Sequence, residues 1–167
     1  MVKTFDLSQT DGKELPTIGP SELVGNIEGY PKLLQALQEI SPVPVSFELI
    51  DGDAKGFYHL EDKKIVVQDG MSEVQTIKTL LHEMAHQKLH DKDNVPEAKD
   101  ISRNGKEVEA ESVAYVVCQH YGINTSDYSF SYVAGWSEGK ETPELKASLD
   151  KIRQTASEFI YQIDQKM

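Results

Sequence analysis

Cysteine is nearly missing from this chain. Cys118 is the only one, so no internal disulfide can form, and the disulfide framework of a small secreted domain is excluded. No apolar run approaches the ~18 residues a membrane-spanning helix needs. The opening Met-Val-Lys-Thr-Phe-Asp also lacks the hydrophobic stretch of a secretory signal. These absences point to the cytoplasm and away from a membrane. Basic clusters are wanting too. Against 28 acidic residues stand 17 Lys and Arg, for a net charge of −11, and the one concentrated basic pair, Lys63-Lys64, falls in an expected turn. Phosphate backbones are bound by clustered Lys and Arg, so this chain by itself is not expected to bind nucleic acid.

What remains suffices for one domain. The 167 residues are 38% hydrophobic and 27% charged, enough to bury a real core and unlike a disordered segment. Residues 1–20, polar and ending in Pro16-Thr17-Ile18-Gly19-Pro20, read as a leader or linker with at most a short strand around Lys3–Leu7. Residues 21–167 read as the domain.

A first helix is expected over Pro31–Ile40, with Leu33, Leu34, Leu37 and Ile40 on one face. Three β-like runs follow, Val45–Ile50, Gly56–Leu60 and Lys64–Gln68. They are separated by Asp51-Gly52-Asp53 and Glu61-Asp62-Lys63, which suggests a small antiparallel sheet with Lys64–Gln68 presenting an edge. Ser72 and Gln75 have capping-box spacing and open a helix that should reach about Leu89. A polar loop over 91–105 is expected, then a helix from Lys106 to Tyr121 with Gly122 at the C′ position. The aromatic stretch Tyr128, Phe130, Tyr132, Trp136 either lines a cleft or packs on a last helix that starts at Thr142. The fold class is therefore α+β.

The chemistry concentrates in His82-Glu83-Met84-Ala85-His86. Residues four apart on a helix share a face, so His82 and His86 can aim imidazole nitrogens at one ion. Glu83, about 100° around the helix, can reach a water on that ion without ligating it. This is the HExxH arrangement, in which two neutral imidazoles hold Zn²⁺ and the carboxylate takes a proton from water. The competing reading is a surface or core histidine pair. A catalytic zinc needs a third protein ligand, and Glu107, Glu109 and Glu111 are near enough in sequence. On a helical wheel Glu107, Ala110, Glu111, Ala114 and Cys118 share one face, suited to packing against the histidine helix. Glu109 falls on the opposite side and is the poorest ligand candidate. The wheel leaves Glu107 and Glu111 open.

His90 lies about 12 Å along the helix axis from His82, too far to share one ion. It reads as a structural or rim residue, with substrate contact as the alternative. His59 and His120 have no partner pattern, and Cys118 reads as a small core residue. A tyrosine steadying an oxyanion is expected for this chemistry, with Tyr115, Tyr128 and Tyr132 as the candidates.

The segment Ile77-Lys78-Thr79-Leu80-Leu81-His82-Glu83-Met84-Ala85-His86, followed by Glu107-Val108-Glu109-Ala110-Glu111-Ser112-Val113-Ala114, resembles the ImmA/IrrE-type zincin-like peptidases. It resembles still more the metallopeptidase domain of ArdC/LtrC-like proteins of conjugative elements. The resemblance runs from about residue 3 to 163 and includes the opening Phe5–Gly12 and the Tyr128–Trp136 stretch. It implies a zincin-like fold: a small sheet packed on the HExxH helix, a second ligand-bearing helix and a C-terminal helix. It also implies Glu107 as third ligand with Glu111 supporting a histidine, Glu83 as the base, and His90 matching a histidine one turn beyond the motif. The expected activity is zinc-dependent hydrolysis of a peptide bond in a specific protein substrate. The alternative is a zinc-bearing interaction module of an anti-restriction or conjugation protein. Single-stranded-DNA binding would belong to a separate N-terminal domain that this sequence lacks, so the chain is expected to be an excised domain or a shortened relative.

Overall fold

The computed structural model describes residues 27–125 and 142–167. The expected leader over 1–20 with its strand around Lys3–Leu7, and the aromatic stretch with Tyr128 and Tyr132, lie outside the described residues.

Helix α1 (Tyr30–Ile40) is entered through Gly29 at φ 75, with Pro31 in its first turn, and buries Leu33, Ala36 and Leu37. Three short strands follow: β1 (Val45–Glu48), β2 (Gly56–His59) and β3 (Lys64–Gln68). Their positions match the β-like runs, but their arrangement does not match a purely antiparallel sheet. The order is β1-β3-β2, with β1 parallel to β3 (Val45 opposite Ile65) and β2 antiparallel to β3 (Gly56 opposite Val67). Thus β3 is central, and β2 is the edge beside the helix that carries His82 and His86. The cause is legible afterwards. Ile65, Val66 and Val67 are consecutive and all buried, the pattern of a strand covered on both faces. The loop over 49–55 is too long for a tight hairpin and carries the chain past β3 to the far edge.

The β2–β3 turn is clasped from outside the sheet. Lys63 sits at φ 53, which is unusual for a residue with a side chain. Its ammonium reaches Asp91 (2.9 Å) and Asp93 (2.8 Å) at the end of the next helix. Tyr58 Oη donates to the same buried Asp91, at 2.7 Å.

Helix α2 (Glu73–His90) begins at its expected N-cap: Ser72 Oγ accepts from the Gln75 N–H at 3.1 Å, while the Gln75 side chain donates to Thr79 Oγ1 at 2.9 Å. Every residue from Val74 to Ala85 is buried, so α2 is the central helix rather than a surface one. A 3₁₀ turn (Pro96–Asp100) then leads to α3 (Arg103–His120), capped by Ser102 Oγ on the Gly105 N–H. The loop expected over 91–105 is therefore shorter. Asn104-Gly105 lies inside the first helical turn because Ser102 supplies the cap. Gly122 at φ 77 follows α3, as its C′ position demands.

Ala110, Ala114 and Cys118, all fully buried, let α3 approach α2 closely. The last helix, α4 (Thr142–Lys166), packs on α3 and buries Ile152, Ala156, Phe159 and Ile163. The described residues thus form a small mixed sheet with four α-helices, an α+β fold. None of these helices is long and apolar enough to cross a membrane.

Candidate metal centre

The four-residue spacing on α2 brings His82 and His86 together, with Nε2 to Nε2 at 3.1 Å. Glu107, from the second turn of α3, completes the group: its Oε2 lies 3.3 Å from His82 Nε2 and its Oε1 lies 3.1 Å from His86 Nε2. One nitrogen from each histidine and one carboxylate oxygen can therefore hold a metal ion. Ligand atoms bound tetrahedrally at ~2.0–2.1 Å would stand about 3.3 Å apart, so the spacing suits an ion of that size.

The protonation pattern argues the same way. Nδ1 of His82 lies 3.1 Å from Oε1 of the fully buried Glu111. A carboxylate only accepts, so Nδ1 carries the hydrogen, and in the neutral ring Nε2 presents its lone pair. The converging atoms are then acceptors crowded together, an arrangement that calls for a cation. This surplus of acceptors also raises His82 to about 9. Burial of the ring opposes its protonation, but the hydrogen bonds of Glu107 and Glu111 outweigh it. A metal ion bound here would have to displace a proton from this position. Burial likewise works against ionisation of Glu107, yet the two histidines hold its carboxyl well below the usual range.

Glu83 is 8% exposed and points toward β2. A Cβ on Gly56 would stand 3.6 Å from Cγ of Glu83 and only 2.7 Å from Cγ2 of Thr79, so the edge strand approaches α2 as closely as a glycine permits. Burial raises the Glu83 pKa, partly countered by the two histidines. Such a carboxylate is better matched to taking up and releasing a proton near neutrality.

Two cavities meet at these groups. One, of about 680 Å³, is lined by Lys55, Gly56, Gln68, His82, Glu83 and Glu107, among others. The other, of about 440 Å³, shares Gly56, His82, Glu83 and Glu107 and extends past Tyr58 to Arg103. Together they open the cluster to solvent on both sides along β2.

The remaining candidates fall differently. Glu111 stands behind His82 and takes no place in the cluster. Glu109 takes no place in the cluster either, yet it does meet a histidine. It is 1% exposed, and its Oε1 lies 2.9 Å from His90 Nε2. Helix α3 is covered on both sides, by α2 and by α4, so its far face is interior as well. His90 lines the second cavity but is engaged by both His86 and Glu109. Tyr115 is half-buried, about 12 Å beyond Glu107 along the helix, and lines neither cavity. Cys118 is buried, which pushes its thiol up to about 12 and leaves it inert.

Sequence reasoning missed Lys78. It is 1% exposed, donates to Glu111 Oε1 at 2.6 Å and lines the larger cavity. The available signal was its place four residues before His82, on the face that presents the ligands.

Among known proteins, this chain is similar to an uncharacterized protein of Bacillus anthracis. The two are 34% identical over 182 aligned positions, covering 98% of this chain and 30% of the relative. The chain thus spans under a third of that protein's length. No family model matches the sequence, and no solved structure matches the fold.

Proposed function

We propose that this domain is a zinc-dependent metallopeptidase of the zincin-like kind, resembling the ImmA/IrrE-type peptidases and the metallopeptidase domain of ArdC/LtrC-like proteins. The observation that carries the reading is the convergence of His82, His86 and Glu107 within 3.1–3.3 Å of one another. The buried carboxylate of Glu83 lies beside them and an edge strand alongside. Two histidines and a glutamate are a catalytic zinc donor set that leaves a position open. When bound, zinc supplies a Lewis acid that polarises a scissile carbonyl and acidifies water.

The chain's own groups supply the rest. Glu83 accepts a proton from the attacking water at a carboxylate oxygen and returns it to the departing amine. The outer edge of β2 offers backbone N–H and C=O groups on which an extended peptide can add as a strand, running along both cavities. On this reading an extended substrate pairs with Gly56–His59 rather than with Lys64–Gln68, which is central in the sheet.

The test is a peptide-library digestion by the zinc-loaded chain and by Glu83→Gln. The reading expects cleavage by the first and none by the second, with zinc still bound to both. Equal cleavage by the two would contradict it.

A second reading has its own support in the way the cluster ties α2 to α3 through buried groups. In an interaction module of a mobile-element protein, the metal would chiefly hold these helices together. Unfolding with and without chelator separates the two. A stable metal-free chain with cleaved peptides favours the enzyme, and metal-dependent folding without cleavage favours the module.

A further inference from the structure

The two histidines of the cluster are held differently. His82 Nδ1 meets a carboxylate directly, at Glu111. His86 Nδ1 instead lies 2.9 Å from Nδ1 of His90, whose Nε2 lies 2.9 Å from Oε1 of Glu109. Glu109 is anchored from α4, where Ser148 Oγ (2.9 Å) and Lys151 Nζ (3.1 Å) both reach its Oε2. The side chains of His90 and Glu109 are 4% and 2% exposed, so water competes little for these contacts.

The proton positions follow in order from α4 inward. A carboxylate held by an ammonium and a hydroxyl stays ionised and only accepts, so Nε2 of His90 must carry a hydrogen. In a neutral ring Nδ1 of His90 is then a lone pair. It must accept from Nδ1 of His86, and that leaves the lone pair of His86 on Nε2, 3.1 Å from Glu107 Oε1. Reversing any one step would turn an N–H of His86 into the cluster and block an ion there. Partners behind ligating histidines are known to fix the tautomer and strengthen the ligand in this way. Here the support extends through a second histidine to a third helix.

We infer that α4 is part of the metal centre: Lys151 and Ser148, acting through Glu109 and His90, are positioning residues that fix His86 in the tautomer that presents Nε2. The inference rests on the metal-binding reading of His82, His86 and Glu107. It gives His90, one helical turn beyond the motif, a definite task, and it gives Glu109 a role although it ligates nothing. It also means that displacing α4 from α3 weakens ion binding without touching a ligand.

The test has two parts. Two-bond ¹H–¹⁵N correlation spectra of the unmodified, zinc-loaded chain report the histidine tautomers. The expected result is hydrogen on Nε2 of His90 and on Nδ1 of His86, and hydrogen on Nδ1 of His90 would overturn the inference. Zinc affinity is then measured by competition with a chromophoric chelator for Glu109→Ala and for the double variant Ser148→Ala/Lys151→Met, with circular dichroism checking the fold. Glu109→Ala is expected to bind about 10–100-fold more weakly and the double variant to weaken in the same direction. Unchanged affinity in folded Glu109→Ala would overturn the inference. Absence of zinc binding by the unmodified chain would instead refute the underlying metal reading. If a variant fails to fold, the tautomers of the unmodified chain decide.

Discussion

The ammonium of Lys78 lies 2.6 Å from Oε1 of Glu111, and both side chains are buried. Burial lowers Lys78 to about 8, with Glu111 opposing the shift. The same carboxylate accepts from His82 Nδ1, so an ion pair inside the protein stands directly behind the cluster.

Breaking that pair should be expensive. Lys78→Met leaves the Glu111 carboxylate buried without its ammonium, and removing one partner of a buried pair typically costs about 3–5 kcal/mol. Urea unfolding of Lys78→Met is expected to show a loss of that order. A loss under about 1 kcal/mol would mean that the pair contributes no more than a surface one.

Gly56 tests how closely the edge strand must approach α2. A methyl group there meets Thr79 Cγ2 at 2.7 Å and the Val66 carbonyl oxygen at 3.0 Å. Gly56→Ala should therefore push β2 outward, costing about 1–3 kcal/mol as overpacking does, and should reduce any cleavage by displacing the proposed substrate-binding edge from Glu83. Melting temperature and digestion rate check the two effects. An unchanged melting temperature would show that the strand has room to spare.

The clasp around Asp91 gives a pH window. Burial alone would raise its pKa, but the hydrogen bonds from Tyr58 and Lys63 outweigh this and hold it below the ordinary 3.8. Its contribution to stability is thus present above about 3.8 and is lost as pH falls through the lower folded value. Tyr58 is raised by burial and by Asp91 from 10.0 to about 12, so its contribution is complete below 10 and is lost between 10 and 12. Unfolding midpoints measured from pH 2 to 12 should fall at both ends. In Tyr58→Phe the alkaline fall should be shallower, and an identical alkaline limb would contradict the assignment.

Local signals were the readable ones. Ser72 with Gln75 marked the start of α2, and the HExxH spacing brought two histidines to one face. The small residues Ala110, Ala114 and Cys118 marked the seam between α2 and α3. The pairings that escaped join residues far apart in the chain. That β3 lies between β1 and β2 depends on strand contacts no spacing encodes, although the unbroken Ile65-Val66-Val67 run hinted at a strand covered on both faces. Lys78 with Glu111 and His90 with Glu109 join two helices across the core, and α4 adds Ser148 and Lys151 to the second pair. A wheel drawn for α3 alone placed Glu109 correctly around its own axis, but it could not show that α4 makes that side interior too. The choice of Glu107 over Glu111 came from family resemblance rather than from the wheel. The structure puts Glu107 in the cluster and Glu111 behind His82.

The central claim is that His82, His86 and Glu107 hold one metal ion. The most direct measurement is zinc titration of the purified chain, combined with X-ray absorption spectroscopy of the zinc-loaded protein and the same titration of His86→Ala. The account predicts one ion per chain, a nitrogen and oxygen shell at ~2.0–2.1 Å with an imidazole signature, and loss of tight binding in the variant. An absence of stoichiometric zinc binding, or binding that survives His86→Ala unchanged, would contradict it.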